Sequence, residues 1–118
     1  MLKFEQYLNE AAEKPFGSYA LEIGELKKMI ADPKYIGHDP RNGAGKSSHY
    51  FQYVKNKKAE WDGVTCREYY FKHLRNNRLY KVYIDTVNNK IYDSATKNGW
   101  VPFTGDKKLI TIKLNQKR

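Results

Sequence analysis

Two histidines, His49 and His73, are the side chains in this sequence best suited to proton transfer near neutral pH. Arg75 follows the second histidine by two residues, and an arginine beside a general acid and base can stabilise the charge of a pentacovalent phosphate. Small metal-independent ribonucleases are built from such parts. Three histidines in 118 residues are also ordinary, and an imidazole can simply pack in a sheet. We expect no catalysis and keep His49, His73 and Arg75 as the alternative, nuclease set.

The same residues do not form a metal or nucleotide motif. No histidine stands in a His-x-His, His-Glu-x-x-His or Cys/His pattern, and Cys66 is the single cysteine, so we expect no metal and no cofactor. The string GAGKSS at 43–48 resembles the end of a phosphate loop, but Pro40 occupies the position of the motif's first glycine. We expect Lys46 and the loop amides to contact a phosphate of DNA or RNA instead.

The charge of the chain points to an anionic partner. There are 22 basic residues against 13 acidic ones, a formal net charge of +9, which favours DNA, RNA or an acidic protein surface. No run approaches the roughly 18 apolar residues that a membrane span requires, so no membrane partner is expected.

A β-meander is predicted between residues 67 and 95. The pairs Asn76-Asn77 and Asn88-Asn89 interrupt runs dense in Tyr, Phe, Val and Ile, and asparagine tolerates the positive φ of tight turns. A two-residue loop at Asn76-Asn77 would place His73 opposite Tyr80 and Phe71 opposite Val82. Alternation along the strands makes this face the core.

The opposite face of the predicted meander is aromatic and basic. The same register would set Tyr70 opposite Tyr83 and Lys72 opposite Lys81. Tyrosine rings can stack on bases while lysines neutralise phosphates, although tyrosine is also an ordinary strand residue. With Lys46, these four residues are the predicted nucleic-acid-binding set.

The remaining segments complete an α+β fold. Residues 1–14 predict a short N-terminal leader helix, and residues 19–31 a second helix capped by Ser18 and ended by Asp32-Pro33. Residues 49–55 and 108–114 predict strands, and residues 56–63 a polar connection or short helical turn. The expected architecture is an antiparallel sheet of four or five strands, a β-meander, covered by one helix.

The first eleven residues, MLKFEQYLNEA, resemble the capsid-targeting leader of the internal head proteins of T-even bacteriophages. Such leaders end in an aliphatic residue, any residue, Glu and then a small residue, here Leu8, Asn9, Glu10 and Ala11. The resemblance implies that the phage prohead protease cuts after Glu10. It therefore divides the chain into a cleavable leader, residues 1–10, and a single basic α+β domain, residues 11–118.

The resemblance also implies a life cycle. Internal head proteins are packaged with DNA in the virion and injected into the host cytoplasm, where some inhibit a restriction nuclease that defends the host. The implied partners are the prohead protease, packaged DNA and a host defence protein. The resemblance covers about a tenth of the chain and carries over no residue beyond the leader. Two alternatives stay open: the small ribonuclease, and a nucleic-acid-binding regulator that is never packaged.

Overall fold

The computed structural model describes residues 18–42 and 49–115. Their elements, in chain order, are β1 (Ser18–Glu22), α1 (Ile23–Ala31), β2 (Ile36–His38), a 3₁₀ turn (Pro40–Asn42), β3 (Tyr50–Trp61), β4 (Val64–His73), β5 (Leu79–Asp85), β6 (Lys90–Tyr92), β7 (Trp100–Pro102) and β8 (Leu109–Leu114). The predicted α+β class, with one helix and an antiparallel sheet, is confirmed for this part of the chain. The predicted count of four or five strands is wrong, because the sheet has eight.

The sheet curls until its two ends meet. Its main path runs β1-β8-β5-β4-β3-β2, and β6 and β7 extend from β5. Asp39, directly after β2, accepts a hydrogen bond from the backbone N–H of Ala20 in β1 through its Oδ2 at 3.0 Å. This contact links the first and last strands of the path, so the sheet is nearly a barrel.

The inner face of the curled sheet forms the core, and α1 packs against it. The helix contributes Ile23, Leu26 and Met29, all fully buried. The sheet contributes large side chains from five strands: Leu21, Phe51, Phe71, Tyr80, Val82, Ile84, Ile110 and Ile112. The prediction that the helix covers the core face is confirmed. Asp32 ends the helix, as predicted from the following proline.

The start of the helix differs from the prediction. Ser18 is not a cap, because Ser18–Glu22 is a strand that pairs with β8, and the helix begins only at Ile23. The N–H of Gly24 donates to the carbonyl of Asp106 at 2.9 Å, and a Cβ at this glycine would lie 3.0 Å from the Asp106 Cβ. The glycine therefore allows the turn before β8 to pass close to the helix.

The connection predicted at residues 56–63 is also wrong. β3 continues to Trp61 and turns through Asp62-Gly63 into β4. Both turn residues have positive φ, 54° and 76°, as a two-residue primed hairpin requires. Asp-Gly between two β-forming runs is a strong hairpin signal, and it is the feature of the sequence that indicates this turn.

The predicted register between β4 and β5 is wrong by two residues. The observed partners are Phe71 with Tyr80, Tyr70 with Lys81, and Lys72 with Leu79. The loop is longer than two residues, because the Asn77 N–H donates to the His73 carbonyl at 2.8 Å. A shift of two residues leaves every side chain on its predicted face, whereas a shift of one would have exchanged the faces. The assignment of faces is therefore confirmed although the partners changed.

Candidate nucleic-acid interface

The structure brings together the two histidines of the alternative nuclease set. His49 Nδ1 and His73 Nε2 lie 2.9 Å apart. His73 Nδ1 accepts the backbone N–H groups of Arg75 at 3.1 Å and Asn76 at 3.3 Å. A ring nitrogen that accepts carries no proton, so the proton of a neutral His73 is on Nε2 and donates to His49. The pair is therefore a directed hydrogen-bond chain anchored on the β4–β5 turn.

Burial keeps this histidine pair neutral. His73 is 2% exposed. Burial, then the nearby His49 and Arg75, lower the pKa of His73 from 6.5 to about 4, and burial also lowers the pKa of His49. The ring of Tyr19 packs against both imidazoles, with centroids 4.5 Å and 5.2 Å away. The mutual hydrogen bond leaves no space for a phosphate between the two imidazoles in this structure.

On the outer face, the side chains are arranged around one carboxylate. Glu68 is 6% exposed, and Lys81 Nζ lies 3.0 Å from its Oε2, with Lys57 Nζ 3.8 Å from its Oε1. The Tyr70 hydroxyl donates to Glu68 Oε1 at 2.6 Å. Burial opposes ionisation of Glu68, but hydrogen bonds from Tyr70, Lys81 and Tyr83 outweigh it, and the pKa of Glu68 is lowered. The carboxylate thus holds the tyrosines and lysines around it in place.

The outer face carries more lysines than carboxylates. Lys55 and Lys57 lie over the Tyr70 ring, with Nζ 5.3 Å and 5.8 Å from its centroid. The strand positions that share the face with Glu68 carry six lysines. Lys90 is the direct partner of Asp85, and we call the other five the outer lysine set: Lys55, Lys57, Lys72, Lys81 and Lys113. Three carboxylates share this face, those of Glu22, Glu68 and Asp85, and they cannot neutralise six lysines, so the face attracts anions.

The predicted nucleic-acid-binding residues have different environments in the structure. Lys72, Lys81 and Tyr83 lie half-buried on the outer face. Tyr70 is on the same face but only 3% exposed, because Glu68 binds its hydroxyl and two lysines cover its ring. Tyr70 is therefore not available to stack on a base, which corrects the prediction for this residue. Lys46 lies outside the described residues.

Beside the outer lysine set lies a groove that the predictions from sequence do not include. Trp61 stacks on Tyr83, with ring centroids 4.7 Å apart and planes 3° from parallel, and Tyr92 meets Trp61 edge-on at 5.8 Å. These rings open into a cavity of about 130 Å³, which we call the aromatic groove. It is lined by Trp61, Lys81, Val82, Tyr83, Tyr92, Ser94, Thr111 and Lys113. The Asp62-Gly63 turn is the signal in the sequence that places Trp61 at a strand end.

Buried contacts fix the far wall of the aromatic groove. Asp93 Oδ1 accepts the N–H groups of Ala95 at 3.1 Å and Thr111 at 3.2 Å, which ties the segment after β6 to β8. A Cβ at Gly99 would lie 2.3 Å from the Tyr92 ring, so only glycine allows that ring to stay in place. The groove is therefore formed in advance of any ligand.

Comparison with known proteins does not add to this description. No protein-family model, curated protein or solved structure matches the chain. Within residues 18–42 and 49–115, no group of three or more His, Cys, Asp or Glu side chains could hold a metal ion. No helix among the same residues is long and apolar enough to cross a membrane. Leu8, Glu10 and Ala11 lie outside the described residues, so the leader remains a prediction.

Proposed function

We propose that this chain is a phage internal head protein whose basic domain binds nucleic acid through the outer lysine set. The observation that carries the binding half is the excess of lysines over carboxylates on the outer face, where Glu68 pairs with two members of the set, Lys57 and Lys81. Lysines that neutralise phosphates there would release the counterions condensed on DNA, which is the main source of sequence-independent affinity. A domain that travels inside a filled phage head needs affinity of this kind.

The packaging half of the proposal rests on the N-terminal sequence. The leader carries one lysine against two glutamates, so cleavage after Glu10 would raise the formal net charge from +9 to +10. Removal of the leader thus makes the product better suited to packed DNA. After injection, the same face could meet host nucleic acid or an acidic host defence protein.

Incubation with a T-even prohead protease tests the packaging half. Mass spectrometry should find one new N-terminus at Ala11, and Glu10→Ala should abolish the cut. Glu13→Ala, which changes a second glutamate three residues later, is the matched control and should be cut like the parent chain. A parent chain left intact under conditions that process a known internal head protein would refute the packaging half.

The alternative of a small ribonuclease makes a separate prediction. The 2.9 Å contact between His49 and His73 is the observation in its favour, since one imidazole could orient the other as a general base. We expect no cleavage of RNA in the absence of metal by the purified protein. Robust cleavage that is lost in His49→Ala, with the fold retained, would replace the proposed function with this one.

A further inference from the structure

The aromatic groove has the chemistry of a site for one ring. Its cavity of about 130 Å³ is smaller than the roughly 300 Å³ at which pockets for whole small ligands begin, so it accepts part of a ligand. Trp61 is 41% exposed and Tyr83 half-buried, so aromatic surface faces the opening. The hydroxyls of Ser94 and Thr111 line the cavity and can each donate and accept a hydrogen bond. A flat ring with polar edges matches these walls.

Charge decides which kind of ring the groove favours. Aromatic cages also bind quaternary ammonium groups, but here Lys81 and Lys113 line the cavity and would repel a cation. The two lysines are direct partners across β5 and β8, so their side chains leave the sheet on the same side. Glu68 pairs with Lys81 at 3.0 Å, but one carboxylate cannot balance two lysines, so the groove keeps a net positive charge that a phosphate would neutralise.

We propose that the aromatic groove binds a single unpaired nucleobase of DNA or RNA, while Lys81 and Lys113 hold its phosphate. This inference rests on the proposed function and adds a preference to it: the outer lysine set attracts any nucleic acid, and the groove selects single strands. Duplex bases are stacked within the helix and offer no free face, whereas an unpaired base does. The base would lie against the aromatic walls, with its polar edge toward Ser94 and Thr111.

Trp61→Ala tests the inference, with Tyr50→Ala as its matched control. Tyr50 is 45% exposed and lies at the opposite end of β3, so its substitution removes a similar exposed ring outside the groove. Fluorescence anisotropy with a labelled oligothymidylate and a labelled duplex of equal length should give the two affinities. We expect Trp61→Ala to weaken single-strand binding roughly five- to 150-fold and duplex binding by less than about twofold. Tyr50→Ala should change neither.

Two further variants distinguish a loss of stacking from a loss of folding and from a loss of charge. Trp61→Phe keeps a ring in the groove and should retain most of the single-strand affinity. Lys113→Gln should make the slope of log affinity against log salt shallower by about one for both ligands, whereas Trp61→Ala should leave that slope unchanged, because stacking releases no counterions.

The outcomes distinguish the groove from the face that surrounds it. Equal loss of single-strand and duplex affinity in Trp61→Ala, or no loss of either, would overturn the groove while leaving the proposed binding by the outer lysine set intact. Competition by choline at the groove would also overturn it, because the site would then select cations. Failure of the parent protein to bind either nucleic acid would instead refute the proposed function.

Discussion

Two polar clusters lie on opposite faces of the same sheet, and they hold their charges differently. On the inner face, His49 and His73 share one hydrogen bond of 2.9 Å, and burial lowers the pKa of both. On the outer face, Glu68 and Lys81 meet at 3.0 Å, with the pKa of the carboxyl lowered and that of the ammonium raised. The inner pair is neutral at pH 7, and the outer pair is charged.

The difference follows from how much contact each face of the sheet has with water. A buried neutral pair that makes its hydrogen bonds costs little, so two imidazoles can join the core beside Tyr19. A charged pair must keep some contact with water, and lysine provides it because its long stem carries the ammonium outward. The two imidazoles therefore pack in the core without charge, while the outer lysines keep contact with water.

The largest expected contrast between the two faces is in stability. Phe71 is fully buried on the inner face, and Phe71→Ala should lower the free energy of unfolding by about 3–5 kcal/mol. The neighbouring Lys72 points to the outer face, and Lys72→Ala should change the free energy of unfolding by no more than about 0.5 kcal/mol. Urea unfolding of both variants measures the contrast. Similar losses would mean that the faces are assigned wrongly.

Acid should destabilise the inner cluster. His73 has a pKa near 6.5 in the unfolded chain and about 4 in the folded chain. The stabilisation from a neutral His73 is therefore fully present above pH 6.5 and is lost as the pH falls from 6.5 to 4. At about 1.4 kcal/mol for each pH unit, the loss amounts to roughly 3 kcal/mol. Thermal unfolding from pH 7 to pH 4 should show it, and His73→Gln should flatten the curve. His38→Gln, which removes an exposed imidazole, is the control, and an equally flattened curve there would contradict the assignment.

Glu68→Gln should affect stability and binding in opposite directions. The amide keeps one hydrogen-bond acceptor but loses the ion pairs with Lys57 and Lys81, so we expect a cost of about 1–3 kcal/mol. The face gains one net positive charge, so affinity for DNA should rise. Glu60→Gln makes the same charge change at an exposed position and should cost less than about 0.5 kcal/mol. An equal cost for both variants would show that Glu68 does not organise the cluster.

The smallest expected effect is at the turn that presents Trp61. Gly63 has φ of +76°, and Gly63→Ala should lower stability by about 1 kcal/mol, because a Cβ strains this conformation. Asp62→Asn should cost almost nothing, since asparagine suits positive φ equally well. Thermal unfolding measures both. A tolerated alanine would mean that the turn is not the primed hairpin described.

Alternation along the strands was enough to predict the two faces, but not how the side chains meet. The face of Phe71 follows from its position in the strand, whereas its partner depends on the length of the loop, which the His73 side chain sets through the N–H groups of Arg75 and Asn76. The burial of Tyr70 could not be predicted either, because it depends on lysines brought from β3 over its ring.

The aromatic groove could not be predicted from the sequence either. Trp61, Tyr92 and Thr111 are far apart in the sequence and belong to different strands, so their meeting depends on the order of strands in the sheet. Recognition of the Asp62-Gly63 turn in the sequence would extend the predicted strand β3 to Trp61. No local pattern predicts that β8 lies beside β5, which is what brings Thr111 and Lys113 to the groove.

The measurement that tests the account most directly is the salt dependence of duplex DNA affinity in two charge-matched variants. Lys72→Gln with Lys113→Gln removes two members of the outer lysine set, and Lys27→Gln with Lys28→Gln removes two exposed charges from α1, which packs on the inner face. The logarithm of the affinity should fall linearly with the logarithm of salt concentration, at about −0.9 per phosphate neutralised. We predict that the outer pair makes the slope shallower by up to about two, and that the helix pair leaves it unchanged. Equal changes in both variants would contradict the outer face as the binding surface.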